Sequence, residues 1–195
     1  MQIWTGRYFL LKKAQINKRQ NSLKLTVILA FLAAISIVAG KYLAIRGGNI
    51  MRFSLENMPI IFAGMAFGPW AGLAVGVVAD LVGCVMVGYE INPIVTLGAA
   101  AIGLISGFMP MILRKTKLHR ALVTAITVAI AHFVGSAVIK TLGLAVFYTM
   151  PMEILFLWRL LNYLIVGALD GVVVYVLMKN KEIAKQINLL KGEGK

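Results

Sequence analysis

Long apolar stretches separated by short polar connections dominate this chain. At about 20 residues per membrane-spanning helix, the pattern predicts six segments, at residues 23–45, 57–67, 69–88, 93–113, 119–148 and 154–178. The second is too short to cross a bilayer, because its residues rise only about 16 Å along a helix, and Gly68-Pro69 separates it from the third. We therefore expect an all-α membrane protein, a six-helix transmembrane bundle whose short second helix is a partial or strongly tilted span.

The composition supports a membrane protein. Hydrophobic residues make up 60% of the 195 positions and charged residues only 14%, whereas soluble domains contain roughly 25% charged residues. The net charge of +13 would suggest a nucleic-acid partner if the basic residues were spread over a soluble fold. They lie instead in short runs between apolar stretches, so we expect no nucleic-acid partner.

The basic residues also predict the orientation. Fifteen of the 20 Lys and Arg residues flank the first segment, connect the fourth to the fifth, or follow the sixth. With six segments these regions fall on one face, which the positive-inside rule assigns to the cytoplasm. We expect a bacterial plasma-membrane protein with both termini cytoplasmic, basic tails at 1–22 and 181–195 that contact membrane lipid, and a membrane domain at 23–180. The first tail is expected to lie on the membrane surface as an arm.

The other five basic residues and five of the seven acidic residues lie at the opposite face or inside the segments. A charged side chain within a membrane segment is costly and usually marks a functional site. The outer half of the bundle is therefore predicted to form a polar cup. Its basic and acidic members are Lys41, Arg46, Arg52, Lys140, Arg159, Glu56, Asp80, Glu90, Glu153 and Asp170.

Helical spacing indicates where these groups point. On the third segment Gly68, Gly72, Gly76 and Asp80 recur every four residues, a small-residue pattern that allows a second helix to approach closely. Asp80 should therefore point into the bundle. Three further segments aim polar residues at the same outer volume: Asn92 and Thr96 on the fourth, His132, Ser136 and Lys140 on the fifth, and Arg159, Asn162 and Asp170 on the sixth.

Several of these residues have a plain structural alternative. The loop that contains Gly47-Gly48 could cover an extracellular pocket as a lid or could be an ordinary solvated loop. His132 alone is typical of a hydrogen-bonded interhelical histidine. Tyr148 and Trp158, at the outer helix ends, either anchor the chain in the interface or stack on a planar ligand. Asp80 and Asp170 could instead form ion pairs with Arg159 or Lys140 that hold the helices together.

Catalytic and cofactor motifs are not found. The sequence has no Walker A motif, so we expect no ATP hydrolysis by that route. The stretch Gly103 to Gly107 has its serine at the wrong spacing for a nucleophile elbow. The single cysteine, Cys84, excludes an intrachain disulfide and a cysteine-cluster metal site. We expect a protein that is not an enzyme and has no cofactor and no metal.

Three local runs resemble a known family. They are RFSLENMPIIFAG at residues 52–64 followed by Phe67-Gly68-Pro69, then Ala79-Asp80-Leu81, and then Gly88-Tyr89 with Ile91-Asn92-Pro93. These runs resemble the folate-specific S component of energy-coupling factor (ECF) vitamin transporters. The resemblance covers all six segments and leaves out the basic tail before Ser22.

The resemblance implies a substrate-binding membrane subunit of six helices without ATPase activity. Such subunits pair with a transmembrane coupling protein and, through it, with two cytoplasmic ATPases. The family carries a small-residue motif on the first helix that packs on the coupling protein, and Ala30 and Ala34 supply it here.

Folate chemistry fits the polar cup. A pterin presents an N–H and an amino group side by side, which one carboxylate can accept, and its glutamate tail needs Arg or Lys. We expect Asp80 or Glu56 at the pterin edge, Asn92, Thr96 and Asn162 at its other heteroatoms, Arg52, Lys140 and Arg159 at the carboxylates, and Tyr148 and Trp158 beside the ring. An S component for another vitamin and a structural membrane protein without a ligand remain alternatives.

Overall fold

The computed structural model describes residues 2–47, 51–148 and 152–191, and it describes side chains for residues 19–45, 53–147, 152–153 and 155–191. In chain order the α-helices are α1 Gln2–Ile37, α2 Asn57–Phe67, α3 Pro69–Met86, α4 Pro93–Leu113, α5 Arg120–Ala131, α6 Lys140–Tyr148, α7 Met152–Lys179 and α8 Lys181–Lys191. Two π-helical stretches, Val38–Tyr42 and His132–Ile139, extend α1 and join α5 to α6.

Five described segments are long and apolar enough to cross a membrane, namely Arg19–Tyr42, Pro69–Met86, Pro93–Leu113, Arg120–Phe147 and Leu155–Lys179. The shorter apolar helix Asn57–Phe67 has the bounds expected of the partial second segment. The count of six transmembrane helices and the cytoplasmic position of both termini stay predictions.

The observed elements differ from the sequence-based expectation in three places. The connection after α1 contains a short antiparallel hairpin, Ile45–Gly47 with Met51–Phe53, so the chain is not helical throughout. The N-terminal tail continues α1 without a break, because residues 7–36 contain no glycine or proline to end a helix. The C-terminal tail forms α8, which Asn180 caps and which buries Ile187 against the bundle.

Gly68 and Pro69 separate α2 from α3. Gly68 has a φ of 102°, a conformation that glycine adopts without strain, and Pro69 occupies the first turn of α3, where its missing N–H costs nothing. The two helices fold back on each other at this point. Asp80 is thereby carried to the end of α3 that lies near the first turns of α2 and α4.

Glycines bring the backbones of α2, α3 and α4 into direct contact. A Cβ added at Gly72 would collide with the carbonyl oxygen of Gly103, and one at Gly64 would lie 2.6 Å from the same oxygen. Gly76 similarly faces the carbonyl of Ala99. The predicted close approach along the glycine face of α3 is confirmed. These three helices form the base on which the polar outer residues are placed.

Candidate functional site

An ion pair joins the beginning of α2 to the beginning of α6. The Nζ of Lys140 lies 3.1 Å from Oε1 of Glu56 and 3.4 Å from Oδ1 of Asn57. The side chain of Lys140 is 6% exposed and that of Glu56 is 21% exposed. The ammonium is therefore enclosed and held by one carboxylate and one amide oxygen.

Glu56 is anchored to α1 as well. The hydroxyl of Ser36 donates a 2.6 Å hydrogen bond to the carbonyl oxygen of Glu56. A Cβ on Gly40, within the π-helical end of α1, would lie 2.6 Å from Oε2 of Glu56. Only a glycine at position 40 leaves room for this carboxylate, so the end of α1 and the ion pair are packed as one unit.

The same network continues to α7. The side-chain amide of Asn57 donates to Oγ of Ser136 at 3.3 Å, and Arg159 donates to the carbonyl oxygen of Ser136 at 3.0 Å. In the part of the chain whose side chains are described, no carboxylate lies within ion-pairing distance of Arg159. Most of the five N–H donors of the Arg159 guanidinium are therefore not used by the described residues and are available to another acceptor.

Asp80 faces the first turn of α4. Oγ1 of Thr96 lies 2.7 Å from Oδ2 of Asp80 and 3.2 Å from the carbonyl oxygen of Asn92. Asn92 caps α4 by accepting from the N–H groups of Ile94 and Val95, and its side-chain amide donates to the carbonyl of Gly143 at 2.8 Å. The geometry gives Asn92 a structural role in fixing α4 against α6. Contact of Asn92 with a ligand stays a prediction.

Lys41 completes the polar group from the α1 side. Its Nζ lies 3.6 Å from Sγ of Cys84 and 5.5 Å from the centre of the Tyr89 ring. Neither neighbour neutralises the ammonium. Lys41 is therefore a second cation on the wall of the site.

These side chains enclose a small polar cavity of about 20 Å³. Its polar walls are Ser36, Lys41, Glu56, Asp80 and Lys140. Such a volume holds one water molecule, whereas sites for small organic ligands measure about 300 to 1,000 Å³. A small organic ligand could therefore enter only if the Glu56–Lys140 pair and the Thr96–Asp80 contact opened. We refer to these five residues with Thr96 and Arg159 as the outer cluster.

A larger cavity of about 560 Å³ lies elsewhere, between α5 with its π-helical extension and α7. Its walls are almost wholly apolar. Beside it His132 and Asp170 pair at 2.9 Å, both nearly inaccessible to solvent, and the His132 ring stacks on Tyr163 at 5.0 Å between centroids. Nδ1 of His132 and Oδ1 of Asp170 are buried without a hydrogen-bond partner.

The outer cluster and the larger cavity differ in charge. The outer cluster offers carboxylates and cations, which a charged heteroaromatic ligand requires. The larger cavity offers one histidine within an apolar wall. Volume alone would have selected the apolar cavity.

The structure brings together most of the sequence-predicted site residues. Glu56, Asp80, Thr96, Lys140 and Arg159 belong to the outer cluster, while Asn162 lies half-buried on the same helix as Arg159. Trp158 is 41% exposed, as expected of either an interfacial anchor or a stacking residue. The side chains of Arg52 and Tyr148 lie outside the described residues, and their roles stay predictions.

Two residues that line or contact the site, Ser36 and Asn57, were not predicted as site residues, and Lys41 was predicted only as a member of the polar cup. Ser36 and Gly40 are four residues apart, and this polar and small pair on an apolar helix was an available signal. Asn57 opens the second predicted segment, and its place there gives no sign of its contact with Lys140.

The predicted coupling residues lie on the outer face of α1. Ala30 and Ala34 are exposed, and Ala33 between them is buried in the core. A partner helix could therefore approach this face without disturbing the bundle. Within the described side chains, no group of three His, Cys, Asp or Glu residues is arranged to hold a metal ion.

Comparison with known proteins identifies the architecture. A family model described as ECF-type riboflavin transporter, S component, matches residues 20–185. No curated protein sequence matches the chain.

Solved structures share the fold at low sequence identity. FolT bound with folic acid has a TM-score of 0.61 and 19% identity over 77% of this chain and 88% of that one. The S component for biotin from an ECF-type ABC transporter has a TM-score of 0.62 and 20% identity over 83% and 94%. The S component of a bacterial ECF transporter has a TM-score of 0.51 and 18% identity over 80% and 90%. At these identities the likeness establishes the fold alone.

Proposed function

This chain belongs to the family of ECF-type riboflavin transporter S components, which are membrane-embedded substrate-binding subunits and not enzymes, and we propose that the substrate it captures is folate. The observation that carries the proposal is the outer cluster, in which two carboxylates and two ammonium groups surround one cavity. An uncharged vitamin does not require that many ionised groups. A ligand that donates hydrogen bonds and also carries negative charge requires both carboxylates and cations.

The pterin ring would be held by Asp80. Oδ2 of Asp80 now accepts the hydroxyl of Thr96, and both oxygens could accept the adjacent N–H and amino group of a pterin in parallel. Once displaced from Asp80, the Thr96 hydroxyl can still donate to the Asn92 carbonyl at 3.2 Å. The protein would therefore lose no hydrogen bond when the pterin enters.

The glutamate tail would be held by cations. Lys140 and Arg159 approach the cluster from α6 and α7, and Arg159 retains donors that the described residues do not use. Arg52 lies in the hairpin beside the beginning of α2 and is assigned to the same carboxylates. Arginine suits this role because its planar fork binds a carboxylate through two parallel hydrogen bonds.

Riboflavin is the second candidate, because the matching family is described by that vitamin. Its ring edge presents one N–H between two carbonyl groups and it has no carboxylate. Asp80 would then accept one hydrogen bond from the ring instead of two, and Lys140 would stay paired with Glu56. Folate binding would therefore require Lys140 to contact the ligand, whereas riboflavin binding would not.

Transport itself would need other subunits. The chain would bind vitamin from outside the bacterial plasma membrane, and the exposed Ala30–Ala34 face of α1 would pack on an ECF coupling subunit that connects it to two cytoplasmic ATPases. The purified chain should bind vitamin without nucleotide and should not accumulate it in proteoliposomes. Accumulation against a gradient by this chain alone would contradict that division of roles.

A calorimetric titration of the purified chain with folate, pteroate, riboflavin and biotin tests the substrate. We expect folate to bind most tightly and pteroate, which lacks the tail, more weakly. Lys140→Gln should reduce folate affinity more than pteroate affinity, and Lys185→Gln, an exposed lysine on α8, should change neither. Tight riboflavin binding that is unchanged in Lys140→Gln would show that the substrate is riboflavin and not folate.

A further inference from the structure

The apolar cavity of about 560 Å³ has the dimensions of a lipid site. It begins between Ala121 on α5 and Tyr175 on α7, and ends between Ala137 and Leu160. Sixteen residues along a helix rise about 24 Å, more than half of a hydrocarbon core of about 30 Å. Both walls belong to segments that are long and apolar enough to span a membrane, so an extended acyl chain could lie along this groove within the bilayer.

The walls are open because their residues are small. Ala125, Ala129 and Ala168 are exposed along the groove, and a Cβ added at Gly171 would meet nothing within 4 Å. Larger residues at these positions would close the space between the two helices. The small residues at these positions therefore keep the groove open.

One end of the groove is positively charged. Groove-lining Ala121 follows Arg120, the exposed first residue of α5, and α7 ends at the exposed Lys179. The Nζ of Lys179 lies 5.8 Å from the centre of the Tyr175 ring, which lines that end of the groove. Lys115, Lys117 and Lys181 are exposed in the adjoining segments. The opposite end, lined by Ala137 and Leu160, adjoins Arg159, whose guanidinium donates to the Ser136 carbonyl and is assigned to the outer cluster.

From this arrangement we infer that the groove between α5 and α7 binds an anionic phospholipid, with one acyl chain between the helices and the phosphate at Arg120 and Lys179. An acyl chain fills an apolar groove that a bilayer necessarily covers, and two cations at one mouth favour a negatively charged headgroup over a zwitterionic one. The inference is independent of which vitamin the outer cluster binds. It gives the paired His132 and Asp170 a dry environment, since the lipid would exclude water from that side.

Native mass spectrometry of the full chain in detergent tests the inference. The protein is mixed with phosphatidylglycerol and with phosphatidylcholine of identical acyl chains. We expect phosphatidylglycerol to be retained preferentially, and Arg120→Gln with Lys179→Gln to reduce its retention by about tenfold or more, as expected for two basic residues at an anionic headgroup. The control pair Lys185→Gln with Lys191→Gln, which removes the same charge from α8, should leave retention unchanged.

A second variant tests the groove itself. Ala125→Trp should fill the space and release the lipid while vitamin binding and the size-exclusion profile stay as in the parent. Equal retention of both lipids by the parent and all variants would mean nonselective boundary lipid only and would overturn the inference. Loss of a dimer in Ala125→Trp would assign the groove to a second copy, and loss of vitamin binding would assign it to the vitamin; either result also overturns it.

Discussion

Lys140 donates to Glu56 across 3.1 Å, although the two residues are 84 positions apart in the chain. The ammonium stands at the start of α6, where the π-helical stretch His132–Ile139 ends. Glu56 precedes α2, and its backbone carbonyl accepts a hydrogen bond from Ser36 near the end of α1. One contact therefore connects the end of α1 and the beginning of α2 with α6, and it lies on the wall of the cavity where we propose that the vitamin binds.

Breaking this pair from one side should destabilise the protein. Lys140→Met removes the ammonium that lies 3.1 Å from the Glu56 carboxylate, and the loss of one partner of an enclosed ion pair costs about 3 kcal/mol. Thermal unfolding in detergent measures the effect. The double variant Glu56→Gln with Lys140→Met should be less destabilised than Lys140→Met alone, because it removes both charges of the pair. A double variant less stable than either single variant would show that the pair does not act through charge.

The glycine contacts of α3 yield a second prediction. Gly72→Ala should lower the free energy of unfolding by about 2 kcal/mol, because its Cβ would collide with the Gly103 carbonyl and push α3 away from α4. Gly171→Ala is the matched control in a helix interior with open space around it. It should be neutral or raise stability by about 0.5 kcal/mol. Equal effects of the two substitutions would exclude backbone contact as the cause.

Local patterns predicted the elements well where a few neighbouring residues determine them. Gly68-Pro69 ended the short α2, and the glycines at every fourth position predicted an inward Asp80 and the close approach of a second helix, which the structure identifies as α4. The π-helical stretch after His132 was not predictable, because its apolar sequence is equally compatible with a regular α-helix.

The partners of the charged residues required the structure. The sequence left open whether Lys140 pairs with Asp80 or Asp170; the structure pairs it with Glu56 and gives Asp170 to His132. Contacts between distant segments depend on helix rotation and tilt, which spacing along one helix does not determine. The interhelical hydrogen bond expected of His132 is present.

The coupling face of α1 yields a third prediction. Ala34→Trp adds a bulky side chain to an exposed position and should prevent close approach by a partner helix. We expect vitamin affinity of the isolated chain to be nearly unchanged and copurification with the coupling subunit, together with ATP-driven uptake, to be lost.

Leu97→Trp serves as the control for bulk, since Leu97 is an apolar residue on α4 with 63% exposure. It should copurify and transport like the parent. If Ala34→Trp assembled and transported normally, the Ala30–Ala34 face would contact lipid and the coupling subunit would bind elsewhere.

We propose the outer cluster, and not the apolar groove, as the vitamin site. One carboxylate at each place, Asp80 in the cluster and Asp170 beside the groove, allows the two sites to be distinguished. Folate and riboflavin affinities are measured by calorimetry in Asp80→Asn and in Asp170→Asn. Whichever vitamin binds the parent, we expect Asp80→Asn to weaken it by about 1.5 to 3 kcal/mol and Asp170→Asn to leave it within about 0.5 kcal/mol. A large loss in Asp170→Asn with unchanged binding in Asp80→Asn would place the vitamin beside His132 and contradict the account.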